Sequence, residues 1–492
     1  MAHELLIYWT VKSFQNNINI MLQRVLVFTV LLMQGIGFSQ TKIEKEYTLE
    51  ECISIALESN LNLKSTRLTA NTANINFKQS KANILPTLNG NYNIGVNTGR
   101  SIDPFTNDFI NQELTFSNAR LNLDATIFNG FRLINTAKQQ RLNKQASELE
   151  IEEAEQNLVL EVTLAYLRVL NSKAILKLAK DRLITTEEQY KRQETLYNQD
   201  VGNPADFMDI KGQKTRDETS ILVSESALNN AKINLARLLN LSNDITVNPT
   251  STILDTERYG FSSEDVFNDA LENLVTFKAR DLRVKAAKKG VSVAKAQFTP
   301  ELSFFGQLNT NYSSAAQTFS EVGTSVQNTG DFVTINGDEV PVQTNATQFE
   351  SKKIGYRDQF DNNLNTVVGV AVSIPLFNGF RAKNNVALEK IKVEETILTL
   401  ERTTQDIKNA IAQVHFDMEA AFDRYNSLKK QVEAFEESYR INDIRFNNGA
   451  SNFLAYITSK NNLETAQTNL VNAKYDYLLR VKVLDFYRGK GM

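Results

Sequence analysis

Two stretches of this chain, 131–199 and 380–447, contain neither proline nor glycine, and both carry apolar or small residues in steps of four and three. In the first the seam runs Leu158, Val162, Ala165, Val169, Ser172, Leu176, Ala179, Leu183, Thr186, Tyr190; in the second it runs from Ile407 through Ile411, Val414 and Met418 to Tyr439, each member 249 positions after its counterpart. Heptads sustained over this length specify supercoiled helices. At about 1.5 Å per residue each helix would reach roughly 100 Å, several times the diameter of an ordinary domain. Such a chain cannot fold into a compact globule.

The same offset holds outside the helices. The letters FNGFR at Phe128–Arg132 return at Phe377–Arg381, Asn198 answers Asn447, and Asn203 answers Asn452. Upstream the offset is 214, where Ala56–Glu58 meets Ala270–Glu272 and Pro86 meets Pro300. This is the pattern of a tandem duplication, with 40–250 as the first repeat and 251–492 as the second. The 35 residues separating the two offsets place an insertion between Pro300 and Phe377. Residues 311–363 are rich in Ser, Thr, Asn, Gly and Gln with little apolar periodicity, and are expected to form an extracellular loop tolerant of change.

Residues Met21–Gln40 hold one Arg, an apolar run from Val25 to Met33 and small residues near the end. They read as a secretory signal cut after Ser39, so that 1–39 is removed; the run is too short for a transmembrane anchor. Met21 is expected to be the true start, with 1–20 an over-extension. Without 1–39 the net charge is close to −4, which gives no footprint for nucleic acid. Cys52 has no partner for an intramolecular disulfide, and His415 is the one histidine beyond the signal. With no Cys/His ligand cluster, phosphate loop or nucleophile–base pair, neither an enzyme nor a metal or cofactor site is expected. Paired carboxylates such as Glu152/Glu153 and Glu436/Glu437 fit a solvated helical face.

Between the helices the period changes to two. Leu88, Tyr92, Ile94 and Val96 alternate with Asn89, Asn91, Asn93 and Asn97; Leu121, Leu123, Ala125 and Ile127 alternate with Arg120, Asn122, Asp124 and Thr126. The second copy repeats this with Leu302, Phe304 and Leu308, then with Val370, Val372, Ile374 and Leu376. Strands are predicted over 87–97, 118–128, 301–310 and 366–377, and long helices over 131–199, 207–241, 380–447 and 453–486. A soluble sandwich with its apolar faces inward would also alternate. A secreted chain with Asn-rich polar faces and no other sheet to pack on fits an outer-membrane barrel better, apolar toward lipid and polar toward a lumen.

Pro86 and Pro300 are expected to end an incoming helix, since proline lacks an N–H and clashes with the preceding turn. Asn129–Gly130 and Asn378–Gly379, the latter after Pro375, are expected to allow a sharp strand-to-helix turn through positive φ, with the flanking aromatics near the membrane interface. At the far ends the turns contain Gly202, Asn203 and Pro204, then Asn447, Gly449 and Ser451. The predicted fold is a mixed α/β membrane protein: long α-helical hairpins plus four transmembrane β-strands per chain. Four strands leave open edges, which lipid forbids. Two chains give eight strands and a filled interior; three give twelve and a lumen. A homotrimer is expected.

With these features in order, the chain from about Tyr47 to Phe486 resembles the TolC-type outer-membrane efflux proteins. The residues carrying the likeness are Ile84–Pro86, Phe298–Pro300, Pro375–Phe380 and Arg445–Tyr456. The resemblance implies a trimeric twelve-stranded barrel in the outer membrane of a Gram-negative bacterium and a helical tunnel across the periplasm. It also implies a periplasmic adaptor and an inner-membrane pump of the RND or ABC class as partners. The best-known members carry two aspartates in the second-half tip helix, ringing a closed entrance; here Ala455 and Thr458 match them. Asp206 and Asp209 stand 249 positions earlier, so either the acidic ring has moved to the first hairpin or these are helix-start residues favoured by the dipole. A passive export duct is the favoured function. A coiled-coil structural or adhesive envelope protein would not need the strands, and a self-sufficient porin would not need such helices.

Overall fold

The computed structural model describes residues 46–102, 107–111, 113–241, 245–247 and 257–490. The expected signal segment and the boundary expected at 250/251 lie outside these residues. Strand β1 (Glu46–Tyr47) leads into helices α1 (Leu49–Ser59) and α2 (Leu61–Ala82). Strands β2 (Thr87–Asn97), β3 (Arg100–Ile102), β4 (Phe109–Asn111) and β5 (Leu114–Phe128) follow, then α3 (Arg132–Asn198), α4 (Pro204–Leu239) and β6 (Thr246–Val247). The second half has α5 (Ser263–Asn273), α6 (Val275–Lys295), β7 (Glu301–Ser313), β8 (Gln317–Ile335), β9 (Asp338–Lys353), α7 (Tyr356–Asn362), β10 (Asn365–Ser373), α8 (Arg381–Asn447) and α9 (Phe453–Tyr487).

Helices α3 and α8 are each 67 residues long and start 249 positions apart. Their seams are buried where the hairpins pack: Val162, Val169 and Thr186 on α3, and Ile411, Met418 and Ala421 on α8. The shorter helices recur at 214. Thr48 caps α1 in a reciprocal box with Glu51, and Ser262 caps α5 in the same way with Asp265. Asn60 ends α1 and also caps α2, accepting from the N–H groups of Asn62 and Leu63, so one extended residue bends the chain between the two helices. Around this bend Cys52, Ala56, Val162, Tyr166 and Leu239 form the largest core cluster. Burial pushes the Cys52 thiol up to about 12, which makes it an inert packing residue.

Two orders coincide. The four-stranded antiparallel sheet runs β10-β7-β5-β2. Beside it the helices pack α8 on α6, α6 on α3 and α3 on α2, which is the same order because each helix continues directly from its strand. At the other end α3 packs on α4 and on α9, and α9 on α8. Among the described residues no helix is long and apolar enough to cross a membrane.

Three expectations need correcting. The insertion, expected as an outer loop without regular periodicity, is built of strands: β8 and β9 form an antiparallel ribbon of 19 and 16 residues, followed by the short helix α7. Register shifts between Glu321 and Gly323 and between Asn328 and Phe332 break the sequence alternation, which hid the strands. The last barrel strand stops at Ser373 rather than at 377, because Pro375 cannot donate to a ladder. The second barrel strand begins at Leu114, four residues before the expected start.

Candidate channel wall and entrance

Register places the strand side chains in rows. Asn91 pairs with Arg120, Arg120 with Asn309, and Asn309 with Asn365; one step along, Asn93, Asn118 and Asn311 align in the same way. One face of the sheet is therefore an amide surface, on which Arg120 Nε donates to Asn309 Oδ1 at 2.9 Å. The other face carries Leu88, Tyr92, Ile94, Val368, Val370 and Val372, all exposed. On the amide face Gly95 and Gly369 leave room for a ring: a Cβ there would lie 2.7 Å and 2.6 Å from the Cζ of Phe116 and Phe305.

Both strand-to-helix turns have the expected reversal, with one difference. Positive φ falls on Gly130 (65°) and Phe131 (61°), and on Gly379 (62°) and Phe380 (61°), not on the asparagines. Asn129 instead caps the helix, its Oδ1 accepting the Leu133 N–H at 3.3 Å. The flanking rings meet edge to face, Phe128 with Phe131 at 5.4 Å and Phe377 with Phe380 at 5.6 Å. Pro86 and Pro300 stand just before β2 and β7, with α2 and the 3-10 turn Ala296–Phe298 already ended.

At the far ends, α3 and α8 close with the same hydrogen-bonded motif. The N–H groups of Asp200 and Val201 donate to the carbonyls of Tyr197 and Leu196; those of Gly449 and Ala450 donate to Phe446 and Arg445. This six-to-one, five-to-two pattern needs a left-handed residue at its centre, supplied by Asp200 (φ 52°) and Gly449 (φ 72°). The left-handed position of the first turn is thus Asp200 rather than Gly202, where a Cβ would lie 3.1 Å from Leu196. Asn203 and Asn452 then cap the outgoing helices, accepting from the Ala205 and Ala455 N–H groups, with Pro204 at the first helical position. Ser451 lies between the second turn and its cap.

The two tips meet through Phe207, Ile210, Phe453 and Tyr456, and Arg192 Nη2 donates to the Asn447 carbonyl at 2.8 Å. Asp206 and Asp209 sit on the first turns of α4, Asp206 half-buried and Asp209 exposed. Partial burial, and then the charge of Asp209, hold the Asp206 carboxyl above its ordinary range; the hydrogen bond from Asn203 opposes this. Sequence reasoning missed a polar cluster further along the same helices. Lys460, almost fully buried, bonds Thr186 and pairs with Asp217 at 3.8 Å and Glu464 at 3.4 Å, while Gln213 donates to Asp217 at 2.8 Å. Burial raises the Glu464 carboxyl and lowers Arg182 beside it. A lysine in step with Phe453, Tyr456 and Leu463 was the available signal. Among the described residues no group of three or more His, Cys, Asp or Glu is placed to hold a metal ion.

A sheet with one lipid-compatible face, joined end-on to a sheaf of long helices, defines a membrane channel with an extended helical conduit. The chain belongs to the outer membrane efflux protein family, whose model matches residues 52–241 and 266–490. It is an outer-membrane efflux channel, and membership carries a general expectation of oligomeric assembly and of adaptor and pump partners. It is 21% identical over 455 residues to toxin and drug export protein A of Aggregatibacter actinomycetemcomitans, covering 89% of this chain and 85% of that one. Its fold is similar to that of CusC, with a TM-score of 0.72 at 17% identity, over 90% of this chain and 92% of that chain. It is also similar to the outer membrane protein VceC of Vibrio cholerae, with a TM-score of 0.71 at 18% identity, over 90% and 96%.

Proposed function

We propose that three copies of this chain form a passive export duct: a twelve-stranded barrel continued by a helical tunnel. The observation that carries this reading is the coincidence of strand order and helix order. One edge of the wall is β2 with α2 and the other is β10 with α8. Among the described residues both edges are unpaired, and both expose apolar side chains, Leu61, Leu68 and Ile75 on α2 and Leu388, Ile391 and Leu398 on α8. A wall with two such edges is one sector of a tube, and closure removes the edges. Reading the recurrence as a duplication, the seam inside the chain, β5 on β7 and α3 on α6, is the template for the seam between chains.

In this reading cargo passes down the amide-lined lumen without chemistry, and no catalytic residue is assigned. Energy and selectivity come from an inner-membrane pump of the RND or ABC class, joined through a periplasmic adaptor at the tips, where Gly202–Pro204 and Asn447–Ser451 present the contact surface. Asp206 and Asp209 supply six carboxylates to the entrance of a three-copy assembly, a field that attracts cations and repels anions.

Single-channel recording tests the entrance. Asp206→Asn with Asp209→Asn is expected to lower cation preference and raise resting conductance. Because the Asp206 carboxyl is held above its ordinary range, the unmodified channel should begin to lose cation preference, as pH falls, at a higher pH than an ordinary aspartate dictates. Unchanged selectivity and conductance in the double variant would leave both aspartates as helix-start residues.

A further inference from the structure

Among the described residues, strands β8 and β9 pair only with each other. They are joined at Asn336 and Gly337, both at positive φ (52° and 98°), the backbone of a tight hairpin turn. At about 3.3 Å per residue the ribbon extends roughly 60 Å. Its stems are held firmly: Gln359 of α7, buried, accepts from the Ser313 N–H and donates to the Ser313 and Ile354 carbonyls. The Ile354 N–H in turn donates to the Ala316 carbonyl.

The register shifts give the ribbon two different faces. Phe319 opposite Ser351, Phe349 beside Glu321, Val326 opposite Asn345, and Phe332 opposite Pro341 share one face. Phe319, Val326, Phe332 and Phe349 are 61–68% exposed. The other face is polar through Thr318, Ser320, Gln327, Thr344 and Gln348 and carries Val333, Ile335 and Val340 only near the hairpin tip. A solitary two-stranded ribbon is marginal in water, and a line of exposed aromatics calls for a cover.

Lipid is a poor candidate. The 13 residues of β7 already span an apolar band, so the ribbon continues beyond it, and its apolar face carries Glu321, Asn328, Gln343 and Asn345 among the rings. The ribbon also leaves the wall between β7 and the edge strand β10, beside the seam where the next copy is placed.

We propose that the occupant is a second and third copy of this ribbon: the Phe319/Val326/Phe349 faces of three chains meet about the three-fold axis and build one collar above the outer mouth. This rests on the three-copy reading, and the test separates the two. The purified complex is weighed by native mass spectrometry, and Val326→Cys and, on the polar face, Thr344→Cys are treated with a short bis-maleimide on intact cells.

The expected result is a mass of three chains, abundant linked dimers from Val326→Cys, and few from Thr344→Cys. Adding Phe319→Asp and Phe349→Asp should then remove at least nine-tenths of the Val326→Cys linkage while the mass stays at three chains. A three-chain mass with no Val326→Cys linkage overturns the collar alone, as does equal linkage at both positions or labelling of Val326→Cys by a membrane-dissolved maleimide. A mass other than three chains overturns the assembly reading and the collar with it.

Discussion

The two strand-to-helix turns match in backbone and differ in what stands beside them. Gly130–Phe131 and Gly379–Phe380 have nearly identical φ and the same edge-to-face pair of rings. A Cβ on Gly130 would lie 1.9 Å from Thr299 Oγ1, whereas a Cβ on Gly379 meets nothing within 4 Å. Thr299 belongs to the next helix-to-strand corner of the wall. Its counterpart, 214 positions earlier, is Leu85, which is exposed on the far edge of the chain. One turn is closed by the chain itself; the other is open, and in the proposed assembly a neighbouring copy covers it. The same motif thus marks an internal seam and an edge, and on the three-copy proposal the difference marks where copies would join.

The largest effect should come from filling that space. Asparagine accepts positive φ, so Gly130→Asn and Gly379→Asn test the steric term with little backbone strain. Both should abolish the assembled complex on size-exclusion chromatography, Gly130→Asn through Thr299 and Gly379→Asn through Leu85 of the next copy. Normal assembly of Gly379→Asn would break the comparison.

Next comes the buried ionic cluster, which joins the first hairpin to α9 within one chain. Lys460→Ala removes the ammonium paired with both Asp217 and Glu464, leaving Arg182 as the nearby cation, and should cost about 3 kcal/mol in thermal or denaturant unfolding, the lower end of the penalty for breaking a buried pair. The residue 249 positions earlier, Lys211, is exposed, and Lys211→Ala should cost less than about 0.5 kcal/mol. Equal losses would mean that the two seams are not distinguished by charge.

The smallest effect belongs to the tips. Asp200 and Gly449 hold the same left-handed position, where a side chain costs free energy that glycine does not. Asp200→Gly should stabilise the first turn by under about 1 kcal/mol, seen as a small rise in the unfolding midpoint; a fall would point to a further contact made by the Asp200 carboxylate.

Much of this was legible in the sequence because helices and strands write their period into it. The heptads of α3 and α8, the alternation of β2 and β5 and the offsets of 249 and 214 located the barrel strands and long helices to within a few residues. The ribbon was illegible because its register shifts change the parity of the apolar positions between Phe319 and Val326, so no alternation survives on the page. At the first strand-to-helix turn positive φ was expected over Asn129–Gly130 and falls on Gly130–Phe131, because residue type states which backbone is tolerated and hydrogen bonding states which is used. The Lys460 cluster depends on which seam residues of three helices come together, and that is a property of packing.

The central claim is that the wall closes through β10 of one copy and β2 of the next, in the register of the internal seam. Asn122 pairs with Gln307 inside the chain; shifted by 249 and 214, that pair becomes Ala371 of one copy with Asn93 of the next. A chain carrying Ala371→Cys and Asn93→Cys together, oxidised in the outer membrane and run without reductant, is the direct test. The account predicts a ladder ending in a covalent trimer, with no linkage from Ala371→Cys paired with Asn97→Cys. Monomers alone, or preferential linkage of the shifted pair, would contradict it.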